Sequence, residues 1–185
     1  MKKLIIITSA VLLTITGFGQ KYYTKSGQIN FDATTSSSPE KIEGVNRSAT
    51  CVVDTKTGNM QFAVLMKGFA FERALMEEHF NENYAESNKY PKAEFKGEIK
   101  NADKIDFSKD GTFSVKVKGK LTMHGESNDV ETDGKIVIQG GKIKATADFN
   151  VKLSDYKVSI PGLVADKVAK VAKISVSCLL EPLKS

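Results

Sequence analysis

The chain has 185 residues, of which 41% are hydrophobic and 26% charged, and this composition is typical of a globular protein and unlike that of a disordered chain. A net charge of +5 suits nucleic acid or an anionic surface, but the lysines alternate with apolar residues, as in VKVKGK at 115–120. That spacing favours a solvated outer face, so no nucleic-acid partner is expected.

The N-terminus has the pattern of a secretory signal peptide. Two lysines open the chain, residues 4–15 form an apolar run, and GFG at 17–19 is a small-x-small cleavage site. The apolar run is shorter than the roughly 18 to 20 residues that span a bilayer, and no cysteine follows it to carry a lipid anchor. We expect residues 1–19 to be removed, and residues 20–185 to form one periplasmic or secreted domain with no stable membrane anchor.

Alternation of apolar and polar residues with period two dominates the rest of the chain, and it is typical of strands with one buried face. We predict about eight antiparallel strands, with turns where glycine and polar residues cluster. The turn sequences lie at 54–58, 108–111, 133–134 and 140–141, and the clearest apolar rows lie at 29–31, 60–66, 113–123, 143–153 and 174–180. A meander of this length tends to close into a barrel, because closure removes the exposed edges.

Two segments break the strand pattern and are predicted to contain short helices. In residues 69–80 (FAFERALMEEHF), apolar side chains recur at i, i+3 and i+4. Residues 160–173 carry Leu163, Val168 and Val171 at spacings that suggest a second amphipathic helix. Helical segments between barrel strands usually lie across an open end, so both segments are expected to cap the barrel.

The residues predicted to face inward are mostly Phe, Met, Val, Ile and Ala, and the chain contains no Trp. An eight-stranded barrel is wide enough either to be filled by its own side chains or to hold one slender ligand. Small residues such as Ala145 and Ala147 suit a cavity, and they equally suit a tapering packed core. The residues alone do not decide between a packed interior and a hollow one.

The sequence contains no recognisable catalytic or metal-binding motif. The two histidines, His79 and His124, belong to no zinc, P-loop, dinucleotide or serine-hydrolase pattern. Glu77, Glu78 and His79 are adjacent on a predicted helix and point in different directions, so they cannot converge on one ion. His124 is expected to face outward near a turn. We therefore expect no enzyme, no cofactor and no metal site.

The two cysteines, Cys51 and Cys178, are far apart in sequence and form no CxxC motif. In an exported protein a disulfide between them is one reading, and two free thiols packed as small hydrophobic groups are the other. Their sequence spacing does not decide, because a disulfide depends on how close the fold brings the two backbones.

Four short motifs occur in the order and at about the spacing found in the YceI-like family, and the chain resembles that family over nearly all of residues 20–185. The motifs are MEEHF at 76–80, KYPKAEFKG at 89–97, GKLTMHG at 119–125 and DYKV at 155–158. The chain departs from the family pattern before His79, where the common Arg-Asp pair is lacking, and after Gly125, where Glu-Ser-Asn replaces the usual Val-Thr.

The resemblance implies an all-β fold, namely an extended eight-stranded antiparallel lipocalin-like barrel with short helical segments capping the ends. It also implies a non-catalytic carrier whose hollow interior holds a long-chain isoprenoid or acyl lipid. The alternative is a structural or interaction barrel of the cell envelope with a packed interior, and a homodimer is compatible with either. The residues expected to contact or enclose the lipid are Phe62, Val64, Met66, Phe71, Leu75, Met76, Phe95, Phe113, Val115, Phe149, Val151 and Ile174.

Overall fold

The computed structural model describes residues 21–183, so the predicted signal peptide lies outside the described residues. Within them, the backbone forms nine strands and one short α-helix, α1 (Ala74–His79). The strands are β1 (Lys21–Thr34), β2 (Glu43–Asp54), β3 (Asn59–Leu65), β4 (Ala70–Phe71), β5 (Lys92–Ile99), β6 (Gly111–Met123), β7 (Glu126–Gln139), β8 (Lys142–Lys152) and β9 (Val168–Pro182). A π-helical turn (Phe80–Tyr84) follows α1, and 3-10 turns occur at Met66–Gly68, Ala102–Lys104, Leu153–Tyr156 and Gly162–Val164.

The sheet closes into a barrel because β1 pairs with both β2 and β9. The order around the wall is β1-β2-β3-β5-β6-β7-β8-β9, and all neighbouring strands are antiparallel. The two-residue strand β4 pairs with the start of β2 outside this circuit. Closure leaves the eight barrel strands of the described chain without a free edge. The predicted all-β, eight-stranded antiparallel barrel is therefore confirmed.

One end of the barrel is filled by its own side chains. Ile99, Ile138, Ile143 and Leu180 are at most 3% exposed there. Ile105, which follows the 3-10 turn Ala102–Lys104, belongs to the same buried cluster. This filled end is the one at which β1 begins and β9 finishes.

The outer face of the wall is charged, as the alternation of lysines with apolar residues predicts. On β6, Lys116 and Lys118 lie opposite Asp133 and Glu131 of β7, with N···O distances of 2.9 and 3.4 Å. All four side chains are more than half exposed, so each pair contributes at most about 1 kcal/mol to stability. These residues keep the outer surface soluble and leave the apolar row of β6 to face inward.

Strands β5 and β6 come unusually close where Gly97 pairs with Gly119. A Cβ added at either glycine would lie 2.6 Å from the Phe95 ring, and one at Gly119 would lie 2.4 Å from the carbonyl oxygen of Lys96. Real Cβ atoms do not reach such distances, so only glycine fits both positions. The paired glycines let the Phe95 ring cover the backbone of two strands at once.

The predicted turn at 133–134 is wrong, because Asp133 and Gly134 lie inside β7. A Cβ at Gly134 would lie 3.2 Å from Val115 and 3.0 Å from the carbonyl oxygen of Thr146, so this glycine serves close packing against both neighbouring strands. The turn between β6 and β7 falls instead at His124 and Gly125, whose φ angles are 52° and 80°. The predicted turns at 54–58 and 140–141 do connect strands.

The two predicted helices differ in outcome. The first is confirmed in its second half only: α1 covers Ala74–His79 and the π-helical turn continues to Tyr84, whereas Ala70–Phe71 at its start forms β4. The second is wrong: within 160–173 only Gly162–Val164 forms a 3-10 turn, and Val168 and Val171 belong to β9. Pro161 and Gly162 disfavour a regular helix at its start, and the valines favour the pleated, half-buried surface of a strand.

Candidate ligand-binding site

An apolar cavity of about 410 Å³ occupies the barrel between its filled end and the opposite mouth. This volume falls within the range of roughly 300–1,000 Å³ that small-molecule sites occupy. The inward rows of every barrel strand except β2 line the cavity, and the residues around α1 extend the lining to the mouth. The alternation of large and small residues that the sequence left ambiguous therefore accompanies a hollow interior.

Two neighbouring segments are tied to the loop at 35–42, which forms one side of the mouth. Arg73 Nε, just before α1, lies 2.5 Å from Glu40 Oε2. On the other side, the Thr35 hydroxyl donates a hydrogen bond of 2.9 Å to the carbonyl oxygen of Asp166, just before β9. The loop thus links the helical segment to the approach to β9.

Four phenylalanines close part of the mouth. The centroid of the Phe80 ring lies 4.9 Å from that of Phe71, 5.6 Å from Phe69 and 5.8 Å from Phe31. All three pairs are tilted, a favourable arrangement for aromatic rings. Phe80 is 9% exposed and Phe69 5%. Phe80 is therefore the centre of the contact that holds the residues after α1 against β1 and β4.

A largely enclosed histidine, His124, contacts the other side of the same segment. His124 Nδ1 lies 2.9 Å from the carbonyl oxygen of Tyr156, Nε2 lies 2.6 Å from Glu86 Oε2, and the ring lies 4.4 Å from that of Tyr90. A carbonyl oxygen only accepts, so Nδ1 donates to it, and a second proton is shared between Nε2 and Glu86. The contacts fix the segment containing Glu86 and Tyr90 to the turn between β6 and β7.

The prediction that His124 faces outward is wrong, because its side chain is only 9% exposed. Its φ of 52° lies in the left-handed region, which breaks the alternation that a strand would impose. Glu86, its partner, has a φ of 45°. Non-glycine residues adopt such angles rarely, so the two ends of this hydrogen bond are both held in costly backbone conformations.

Polar groups at the mouth offer contacts for a ligand's headgroup. The Arg73–Glu40 pair, His79, Tyr84 and Lys167 all border the cavity there. Partial burial raises the pKa of the Tyr84 phenol, so this group is a neutral hydroxyl at pH 7. The mouth therefore presents both charged and neutral hydrogen-bonding groups, whereas deeper parts of the wall are mainly apolar.

The structure brings together nearly all of the residues predicted to contact lipid. Phe113 is the exception, because it packs against the cluster at the filled end and does not line the cavity. Leu75 lies at the mouth and is 61% exposed. The predicted residues that border the cavity are Phe62, Val64, Met66, Phe71, Leu75, Met76, Phe95, Val115, Phe149, Val151 and Ile174.

Several lining residues were not predicted. Phe31 lies on β1, Phe69 and Phe80 lie next to α1, and Thr132 lies on β7. The helical spacing that placed Phe80 beside Met76 was the available signal for the aromatic cluster. Thr132 had no such signal, because an inward threonine interrupts the apolar row on which strand prediction depends.

Residues 21–183 contain no group of three or more His, Cys, Asp or Glu side chains placed to hold a metal ion. No helix within the same residues is long and apolar enough to cross a membrane.

The sequence profile of the YceI-like domain matches residues 10–178. The chain belongs to the YceI-like family. No curated protein matches its sequence significantly. Solved structures share the barrel at low identity, which shows the fold they have in common.

Three solved structures are similar to this chain in fold. A polyisoprenoid-binding domain from Saccharophagus degradans, implicated in plant cell wall breakdown, has a TM-score of 0.76 at 12% identity, covering 90% of this chain and 100% of that one. BcnA of Burkholderia cenocepacia has a TM-score of 0.66 at 18% identity, covering 83% and 95%. A Campylobacter jejuni YCEI protein has a TM-score of 0.56 at 17% identity, covering 98% and 100%.

Proposed function

We propose that this protein binds a long-chain apolar lipid, an isoprenoid or an acyl chain, inside its barrel and carries it in the periplasm or outside the cell. The observation that carries the proposal is the cavity of about 410 Å³, which is walled mainly by aliphatic and aromatic side chains and bordered by polar groups at its mouth. The polyisoprenoid binding named for the domain from Saccharophagus degradans supports the same ligand class.

The chemistry of the wall favours a slender apolar chain. Burying apolar surface contributes about 25 cal/mol per Å², so each added unit of chain strengthens binding without a hydrogen bond. A polar headgroup would remain at the mouth, beside Arg73, Tyr84 and Lys167. Specificity for the tail would accordingly be loose, and selection among headgroups would depend on those three residues.

A carrier fits this site better than the packed structural barrel that the sequence left as an alternative. A packed barrel needs side chains from opposite walls in one buried cluster, as Ile99 of β5 and Leu180 of β9 are at the filled end. In the rest of the lumen Ala145, Ala147 and Gly134 border open space. The small inward residues therefore shape a cavity instead of a tapering core.

The test is to obstruct the lumen with one large side chain. Ala147 lines the cavity from β8, so Ala147→Trp should occupy part of the space. A tryptophan buries about 150–250 Å², which at about 25 cal/mol per Å² corresponds to roughly 4–6 kcal/mol of contact denied to the ligand. Even partial loss of that contact should weaken binding at least about 100-fold.

The matched control is Asn150→Trp, because Asn150 lies on the same strand and is exposed. The protein is purified gently from its native envelope, and native mass spectrometry followed by organic extraction identifies the bound species. We expect one long-chain lipid per chain in the wild type and in Asn150→Trp, and little in Ala147→Trp. A wild-type mass without ligand that stays unchanged after incubation with isoprenoid lipids would refute the proposal, as would full occupancy in a folded Ala147→Trp protein.

A further inference from the structure

The two cysteines, which the lipid site does not use, lie beside each other in the barrel wall. Cys51 is on β2 and Cys178 is on β9, the two neighbours of β1. Both are 0% exposed and both are free thiols. Both belong to one buried cluster, and the interaction between the two thiols raises the pKa of Cys51 and lowers that of Cys178. Residues far apart in the sequence are thus joined by the closure of the barrel.

The thiols meet because the strand between them is irregular. Adjacent strands lie about 4.7–4.9 Å apart, so two strands separated by a third are ordinarily about 9–10 Å apart. Here the pairing of β1 with β2 shifts between Thr24 and Gly27, and Cα atoms of β2 and β9 come within 8 Å of each other. Cys51 pairs with Thr24 at one end of this bulge, and the pairing of β1 with β9 shifts over the same stretch, so the irregular part of β1 separates the two cysteines.

Gly27 supplies the space that the sulfur atom of Cys178 occupies. A Cβ added at Gly27 would lie 2.7 Å from Cys178 Sγ and 3.0 Å from the carbonyl oxygen of Ala49. Any other residue would therefore push Cys178 away from β1. The glycine and the bulge together leave the Cys178 side chain free to turn toward Cys51.

We propose that Cys51 and Cys178 form an intramolecular disulfide in the exported protein, which staples β2 to β9 across β1. One Sγ–Sγ bond forms and two S–H bonds break. The two protons and the two electrons pass to the disulfide of a thiol–disulfide oxidant, whose S–S bond breaks and which leaves as a dithiol. Oxidants of this class operate in the compartments outside the cytoplasm to which the N-terminal segment is expected to direct the chain.

The burial of both thiols sets the order of events. A protein oxidant cannot reach sulfur atoms that are 0% exposed, so exchange takes place before β1 closes the barrel. Within the folded pair the hydrogen bond from the Cys51 thiol lowers the pKa of Cys178, and the same contact together with burial raises the pKa of Cys51.

The disulfide would hold together the strands at which the barrel closes. β1 is hydrogen-bonded to β2 on one side and to β9 on the other, and a covalent link between those two neighbours keeps them from separating around it. The link also spans most of the domain in sequence, and cross-links that enclose long stretches restrict the unfolded chain most. Reduction should consequently lower thermal stability without removing a contact from the lipid cavity.

The test determines the redox state of the protein as it occurs. Protein isolated from the compartment to which it is exported is denatured in N-ethylmaleimide before any reductant is added, and the intact mass is measured. We expect no maleimide adduct and a mass lower by two hydrogen atoms than that of the reduced chain. After reduction both cysteines should be labelled. The variants Cys51→Ser and Cys178→Ser should each carry one adduct without prior reduction.

A second measurement applies even if the serine variants fold poorly. The wild-type protein is melted with and without a phosphine reductant, and the melting temperature should fall on reduction. Two maleimide adducts on the unreduced protein would overturn the proposal. An adduct-free protein whose chains prove to be joined to each other would also overturn it, because the bond would then be intermolecular. None of these outcomes depends on whether the barrel holds a lipid.

Discussion

Replacing Phe80 by alanine should destabilise the protein more than any other change near the mouth. The Phe80 ring is 9% exposed and has three aromatic neighbours with centroids 4.9 to 5.8 Å away. Truncating a buried phenylalanine costs about 3–5 kcal/mol, and each aromatic pair can add about 0.5–1.5 kcal/mol to the contact. The void would open into a cavity that already exists, so little of it can be refilled. We expect the free energy of unfolding to fall by about 4 kcal/mol, the middle of the range for a buried phenylalanine.

For a domain of this size the corresponding drop in melting temperature is about 2–4 °C per kcal/mol, or roughly 8–16 °C. The free energy of unfolding is measured in urea by far-ultraviolet circular dichroism, since the chain has no tryptophan to report by fluorescence. The control is Leu75→Ala on α1, because Leu75 is 61% exposed and should change stability by no more than about 0.5 kcal/mol. A loss below about 1 kcal/mol in Phe80→Ala, or one equal to that of the control, would show that the aromatic cluster does not secure this segment.

Three further predictions concern the wall and its loops. Gly119→Ala should cost about 1–3 kcal/mol through the backbone clash with β5, and an unchanged urea midpoint would contradict the close pairing. Glu86→Gln should lower stability by about 1 kcal/mol by weakening the hydrogen bond to His124. Amide hydrogen exchange should then be faster in the segment around Glu86, and unchanged exchange would contradict the assigned contact. Hydrogen bonds from the Ser108 hydroxyl, the Lys109 ammonium and the Ser108 backbone lower the pKa of Asp106 to about 2. The contribution of the Asp106 carboxylate to stability is therefore complete above the ordinary carboxyl pKa and is lost as the pH falls toward 2. A carboxyl titration by NMR with a midpoint near 4 would disprove it, and Asp106→Asn should remove this part of the acid dependence.

The strands with a clear apolar row could be predicted, because one buried face imposes period two on the residues. Phe62, Val115 and Val151 were placed in the lumen on that basis and do line it. The alternation shows which face of a strand a residue lies on, but it does not show how far along the barrel axis the residue lies. Phe113 shares the inward face of β6 with Val115, yet it lies nearer the filled end and packs there.

The errors occurred where long-range packing overrides local signals. Asp133-Gly134 has the sequence of a turn, but it lies in the middle of β7. There Gly134 leaves room for the side chain of Val115 on the neighbouring strand β6. His124 has its side chain drawn inward by Glu86, a partner 38 residues away, and no local pattern contains that information. The proximity of Cys51 and Cys178 depends likewise on closure of the sheet and on the bulge in β1.

Because one end of the barrel is filled by side chains, the lumen is closed at that end and open only at the mouth. A chain that enters at the mouth advances until it meets the floor formed by residues such as Ile99 and Ile136, and any further length must stay outside. Affinity for a series of chains of increasing length should therefore rise by about 0.8 kcal/mol per buried methylene and then level off at the length that spans the lumen. The distance from the mouth to the floor therefore limits the length of chain that can be buried. The chain length at which affinity stops rising would measure that distance.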